Sequence, residues 1–234
     1  MQIFYTSDVN ETTATFRKDE SGHCIRVLRM RKGDPINFTD GRGSLYQGVI
    51  SNDSHIMMEA SFSTVFREYG RRKYRLHAAI SPLKNNDRYE WFIEKAVELG
   101  IDEITPLICS RTEKTRIKRD RLESLIMSAM KQSVKTYLPV LNEPLLIKDF
   151  LAKDLPGVKI IAHCNEFPER RPISEVVHRG EDVVIMIGPE GDFRVEEVMM
   201  AVQDGFVSVH LGESRLRTET AGIAACCSVY LTNI

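Results

Sequence analysis

The chain has 234 residues, 42% of them apolar and 28% charged, which is enough to bury one large core or a small domain beside a medium one. A net charge of −1 excludes a protein that coats nucleic acid non-specifically, and no stretch approaches the ~20 consecutive apolar residues of a membrane span. The five cysteines, Cys24, Cys109, Cys164, Cys226 and Cys227, are scattered and lack metal-ligand spacing, so neither a disulfide framework nor a metal site is expected.

Residues 1–70 hold short apolar runs broken by turn signals at Gly33-Asp34-Pro35, Asp40-Gly41-Arg42-Gly43 and Ser51-Asn52-Asp53. This pattern predicts a small β-rich domain ending near Gly70. From Lys73 onward strand-like runs alternate with helix-length segments, the pattern of an α/β domain with a mainly parallel sheet. Strands are expected at Tyr74–Ile80, Ile104–Ile108, Lys159–Ala162, Val183–Ile187 and Val207–Leu211. Helices are expected at Arg88–Leu99, capped by Asn86 or Asp87 and stopped by Gly100, and at Asp120–Ser133, Ile173–His178, Val195–Gln203 and Thr218–Leu231, the last capped by Thr218 or Thr220. The opening residues lack the basic-then-apolar pattern of a secretory leader, and a cytoplasmic location is expected.

Charge is uneven along the chain. Residues 1–135 carry 23 Lys and Arg against 18 Asp and Glu, whereas residues 136–234 carry 9 against 15. An RNA-facing first half joined to a small-molecule-binding second half would produce this gradient, as would a chance distribution over solvated surfaces.

Two glycine-bearing junctions each follow an apolar strand and precede a helix. The first is Ile187-Gly188-Pro189-Glu190-Gly191-Asp192-Phe193, and the second runs from Leu211-Gly212-Glu213-Ser214 through Arg215-Leu216-Arg217 to Thr218-Glu219-Thr220-Ala221. Glycines let the backbone turn sharply and approach a ligand, and the N–H groups of a following helix can meet an acceptor. Neither junction is a Walker loop or a G-x-G-x-x-G fingerprint, which disfavours a nucleotide-dependent oxidoreductase.

Together the two junctions resemble the signature of the ribosomal RNA small subunit methyltransferase E family, a SPOUT-class family. Agreement continues in order through His23, Val27-Leu28-Arg29 and Gly33-Asp34, then Glu94 to Gly100, then Ile104-Thr105-Pro106 with Arg111, then Gln132-Ser133. This chain departs from the pattern at Asp192, where the family often has a second glycine, and at Ser214 and Arg215, where it often has arginine and isoleucine. It also carries Lys131-Gln132-Ser133-Val134-Lys135 in place of a frequent E-Q-S-x-R.

The resemblance implies a PUA-like β-barrel over residues 1–71 and an α/β SPOUT domain with a C-terminal trefoil knot over residues 72–234. It implies transfer of a methyl group from S-adenosyl-L-methionine to N3 of a uridine in 16S ribosomal RNA by a homodimer. The implied cofactor pocket takes His163, Asn165 and Glu166, then Ile187, Gly188, Pro189, Glu190 and Gly191, then Leu211, Gly212, Ser214, Leu216 and Arg217. Arg215 and Arg217 are candidates for favouring the deprotonated base, and Glu219 for proton acceptor or, with more weight, for stabilising a helix start. Arg26, Arg29, Arg31, Lys32 and Arg111 are candidate RNA contacts. The rival reading is a non-catalytic RNA-binding ribosome-assembly factor, which would have no reason to keep a cofactor pocket.

Overall fold

The computed structural model describes residues 1–234 and divides into two compact units. The first comprises Met1–Arg71 with Met127–Leu138, and the second comprises Arg72–Ile126 with Pro139–Ile234.

In the first unit the strands are β1 (Phe4–Tyr5), β2 (Asp8–Val9), β3 (Thr13–Thr15), β4 (Pro35–Thr39), β5 (Leu45–Asn52) and β6 (Glu59–Phe66). They form one sheet in the order β1-β4-β5-β6-β3-β2. Its two end strands belong to the same short segment. Between them Thr6 donates its N–H to Thr39 O (3.1 Å) and its hydroxyl to Thr15 O, so the segment bridges both edges and closes the sheet on itself. Alternation drives the interior: Ile36 and Phe38 point inward from β4, and the Phe38 ring stacks on Tyr46 at 4.9 Å and meets Phe16 edge-on at 5.4 Å. A short helix α1 (Lys18–Gly22) continues into a wider turn, His23–Val27, which the turn-rich sequence did not announce.

Residues 127–138 depart from the expected division into two continuous segments. Gly43 N–H donates to Thr136 O (2.9 Å), Leu138 N–H to Gly41 O (2.9 Å) and the Thr136 hydroxyl to Tyr69 O, while the Lys131 ammonium pairs with the Glu20 carboxylate. Lysine in place of the family's frequent glutamate therefore has its own partner. A chain cut to residues 72–234 strips Met130 and Thr136, both buried, of these neighbours. It is expected to aggregate, as measured by light scattering; a monodisperse, cooperatively melting truncation would refute this.

The second unit contains β7 (Leu76–Ile80), α2 (Asn86–Leu99), β8 (Glu103–Ile108), α3 (Arg119–Gln132), β9 (Val140–Leu141), β10 (Leu145–Leu146), α4 (Ile147–Leu151), β11 (Val158–Ala162), β12 (Arg171–Pro172), β13 (Val183–Ile187), α5 (Val195–Gln203), β14 (Val207–His210) and α6 (Thr218–Thr232), with the last turns of α3 belonging to the first unit. All strand pairings are parallel, in the order β8-β7-β13-β11-β14-β12, with β9 and β10 paired along the outer edge of β8. β7 and β13 are buried at every position because both faces of the sheet are covered. Ala79, Ile161, Val184 and Met186 pack with Phe150 of α4 and with Val198 and Ala201 of α5. The opposite face carries α2 and α6.

Asn85, rather than Asn86 or Asp87, caps α2 by accepting from Asp87 N–H (2.8 Å), and Gly100 ends the helix as expected. The expected helix at Ile173–His178 is only a single tight turn, Ile173–Glu175. The seven residues between β12 and Gly180 are too few to offset the cost of helix nucleation. Neither Thr218 nor Thr220 caps α6; Arg217 occupies that position and no side chain accepts from the helix start.

Candidate functional site

Register places the ends of three adjacent strands side by side. Ala162 of β11 lies opposite Ile187 of β13 on one flank and Val209 of β14 on the other. The segments that leave these strands, beginning at His163, Gly188 and Leu211, therefore emerge together at the carboxyl edge of the sheet, where ligands of open parallel sheets bind. A cavity of about 1090 Å³ lies between them.

Hydrogen bonds from the protein itself shape this cavity. Asp192 has a left-handed backbone, φ 61°, which asparagine and aspartate tolerate better than other side chains. Its carboxylate accepts from Cys164 N–H (2.8 Å) and Phe193 N–H (2.8 Å), tying the loop after β13 to the loop after β11. Asp192, which stands where the family pattern often has a glycine, thus adopts this left-handed backbone and cross-links the two loops. Asn165 Nδ2 donates to Phe193 O (3.2 Å), and Arg170 Nη1 donates to His163 O (2.9 Å). Arg111 Nη1 donates to Gly191 O (2.6 Å), and Glu190 Oε1 accepts from Lys84 N–H (3.1 Å). Glu197, buried at the start of α5, accepts from Ser110 N–H (2.7 Å), Ser110 Oγ (3.0 Å) and Arg194 N–H (2.8 Å).

His163, assigned from sequence to the pocket wall, is buried beside the cavity, and no side chain pairs with either ring nitrogen. Burial pushes its pKa below the ordinary imidazole value, and Arg170 acts in the same direction; nearby Asp192 opposes them. It sits there as a neutral wall residue.

Of the residues named from sequence, His163, Asn165, Ile187, Gly188, Pro189, Glu190, Gly191, Leu211, Gly212, Ser214, Arg215, Leu216, Arg217 and Glu219 all line the cavity. Glu166 does not; it is exposed beyond the turn. Arg111 also lines it. Arg26, Arg29, Arg31 and Lys32 are exposed in the first unit, with Arg29 in a left-handed conformation, φ 59°. Glu219 lies in the first turn of α6 with its carboxylate 3.7 Å from Arg88 Nε. Arg215 and Arg217 are exposed at the cavity and engage no carboxylate.

Sequence reading missed Arg88, Arg170 and His210 as cavity residues. Arg88 lies far from the glycine junctions in the chain, and only the pairing of β7 with β13 brings the start of α2 to them. Arg170 follows a loop whose path no local pattern reveals. His210 stands one position before the second junction, so extending that junction backward along its strand would have included it.

Comparison with known proteins agrees with this arrangement. The family model described as RNA methyltransferase domain matches residues 71–230, and one described as RNA methyltransferase PUA domain matches residues 16–56. A ribosomal RNA small subunit methyltransferase E of Mesomycoplasma hyopneumoniae is 33% identical over 159 residues, covering 64% of this chain and 67% of that protein. The crystal structure of a probable rRNA-methyltransferase from Porphyromonas gingivalis superposes with a TM-score of 0.93 at 40% identity, covering 100% of this chain and 98% of the other. A ribosomal RNA small subunit methyltransferase E from Neisseria gonorrhoeae, bound to S-adenosyl methionine, superposes with a TM-score of 0.88 at 26% identity, covering 100% and 98%.

Proposed function

This chain belongs to the ribosomal RNA small subunit methyltransferase E family of RNA methyltransferases, and we propose that it methylates N3 of a uridine in 16S ribosomal RNA with S-adenosyl-L-methionine as donor. Its fold is the α/β domain of that family preceded by a PUA-like barrel. The trefoil knot belongs to the proposal. It is supported by the route of α6, which leaves β14 and packs back against β7 and β13, on the far side of β11.

The observation that carries the reading is the cavity at the ends of β11, β13 and β14, with two unpaired arginines at its rim. Ile187, Leu211 and Leu216 offer apolar surface, and the three loops offer backbone N–H and C=O groups, a donor set that suits adenine and an amino acid together. At about 1090 Å³ the space is at the upper end of ligand-binding clefts.

S-adenosylmethionine, when bound, supplies a methyl group already activated on sulfonium. The residues of this chain must then align the acceptor and favour loss of its proton. Uridine N3 is protonated at neutral pH, and its deprotonation spreads negative charge over the ring oxygens. Arg217, with Arg215 beside it, holds cationic donors where that charge develops. Glu219 is engaged with Arg88 and with the positive end of α6, which favours its structural role over that of proton acceptor. Arg26, Arg29, Arg31 and Lys32 hold RNA through its phosphates. The working form is a homodimer, for which exposed Trp91 on α2 and Leu231 on α6 offer apolar contact area.

Nucleoside mass spectrometry of 16S ribosomal RNA from cells with and without the protein tests the reading. Loss of 3-methyluridine is expected in its absence, and an unchanged nucleoside profile would overturn it.

Gly191→Val tests the pocket assignment. A Cβ at position 191 lies 3.3 Å from Arg111 Cδ, and the branched side chain crowds the arginine that donates to the Gly191 carbonyl. The dissociation constant for S-adenosylmethionine should rise about tenfold with an unchanged melting temperature. Unchanged affinity in the folded variant would remove this turn from the pocket.

A further inference from the structure

The basic segment Arg111–Arg121 divides into two sets by what its side chains already hold. Arg119 pairs with Glu123 and Glu143 at 2.7 Å each and donates to Leu141 O, and Arg121 grips Glu90 through Nε (2.6 Å) and Nη2 (2.7 Å). Arg111 is committed as well, through its 2.6 Å bond to Gly191 O. No hydrogen bond or ion pair holds the side chain of Lys114, Arg116 or Lys118; the two lysines only lend positive charge to the neighbourhood of Glu90.

The backbone around Arg111 is pinned on both sides. Ser110 is held by buried Glu197, and the Thr112 hydroxyl meets Ser81 Oγ (2.7 Å) and accepts from Cys109 N–H (2.9 Å). The next residue, Glu113, pairs with Lys84 at 2.9 Å, and Lys84 N–H donates to Glu190 in the glycine turn itself. These bonds fix where Arg111 starts, so its guanidinium reaches the Gly191 carbonyl without a search over loop conformations.

We infer that Arg111 is a positioning residue, which holds the Gly188–Gly191 turn in its cofactor-binding shape, and that the RNA contacts of this segment are Lys114, Arg116 and Lys118. This revises the RNA-contact role expected for Arg111 and rests on the proposed methyltransferase reading. The two roles separate physically. A cation that meets phosphate releases a counterion and contributes to the salt dependence of RNA binding, whereas one that meets a backbone carbonyl inside the protein does not.

The test uses the full chain, with calorimetry against S-adenosylmethionine and RNA binding measured over a range of salt concentrations. Arg111→Ala should raise the cofactor dissociation constant about tenfold and leave the salt slope of RNA binding unchanged. Arg111→Gln, which keeps an N–H donor but no charge, should recover part of the cofactor affinity. Alanine at Lys114, Arg116 and Lys118 should each lower the slope by about 0.7 with cofactor affinity unchanged. A reduced salt slope for either Arg111 variant, or unaltered cofactor affinity in Arg111→Ala, would overturn the inference. Failure of the wild-type chain to bind S-adenosylmethionine would instead overturn the functional reading beneath it.

Discussion

Replacing Arg217 with alanine should lower the single-turnover rate of methyl transfer by about 10²–10³-fold while the cofactor dissociation constant changes by less than about threefold. The expectation rests on where the side chain stands. Arg217 occupies the cap position of α6 with an extended backbone, φ −71° and ψ 158°, and lines the cavity without a carboxylate partner. The competing explanation, that it braces the loop by pairing with Glu219 or Glu190, finds both acids otherwise engaged. Glu219 faces Arg88, and Glu190 accepts from Lys84 N–H. A free cation at the rim matters once a base is bound and losing its proton, so its removal acts on rate. Lysine should restore only part of the loss, because it keeps the charge but not the two-pronged donor geometry. Dissociation constants and single-turnover rates on the same variants decide the matter, and equal losses in both would sink the assignment.

Gly222→Val should destabilise the fold by about 3 kcal/mol, the upper range for overpacking a close helix contact. A Cβ at this position would stand 2.6 Å from Phe92 Cε2 and 2.9 Å from Ile80 Cδ1. Phe92 is itself fully buried, so its ring has nowhere to retreat. Relief requires α6 to move away from α2 and β7, and the first turn of α6 carries Thr218 and Glu219 into the cavity wall. Cofactor affinity should therefore fall along with stability. Urea unfolding at unchanged m-value measures the loss, and a midpoint equal to that of wild type would show that α6 does not pack this closely. The run of small residues from Ala221 to Cys227 anticipates close packing, but not which partner it meets.

Particular residues show how far local pattern reaches. The second junction was legible because glycine, an apolar strand and a small-residue helix leave a mark within about twenty residues. Lys131 was harder: it departs from the frequent glutamate of the family pattern, and its partner Glu20 lies 111 residues earlier in the chain. Asp192 was visible as a departure from glycine, yet only its φ of 61° and its bond to Cys164 explain why an aspartate serves there.

The sequence by itself determined the alternation of strands and helices after Lys73, the two glycine turns and the small β domain before them, because hydrophobic period and turn chemistry are set by near neighbours. Only the tertiary structure decided that β11 lies between β13 and β14, that residues 127–138 join the first unit, that Arg88 and Arg170 reach the cavity, and that Arg111 faces a carbonyl of the chain itself. Each of these depends on hydrogen bonds and contacts between segments far apart in the chain, where the loop-closure cost is met by packing that no local window of sequence contains.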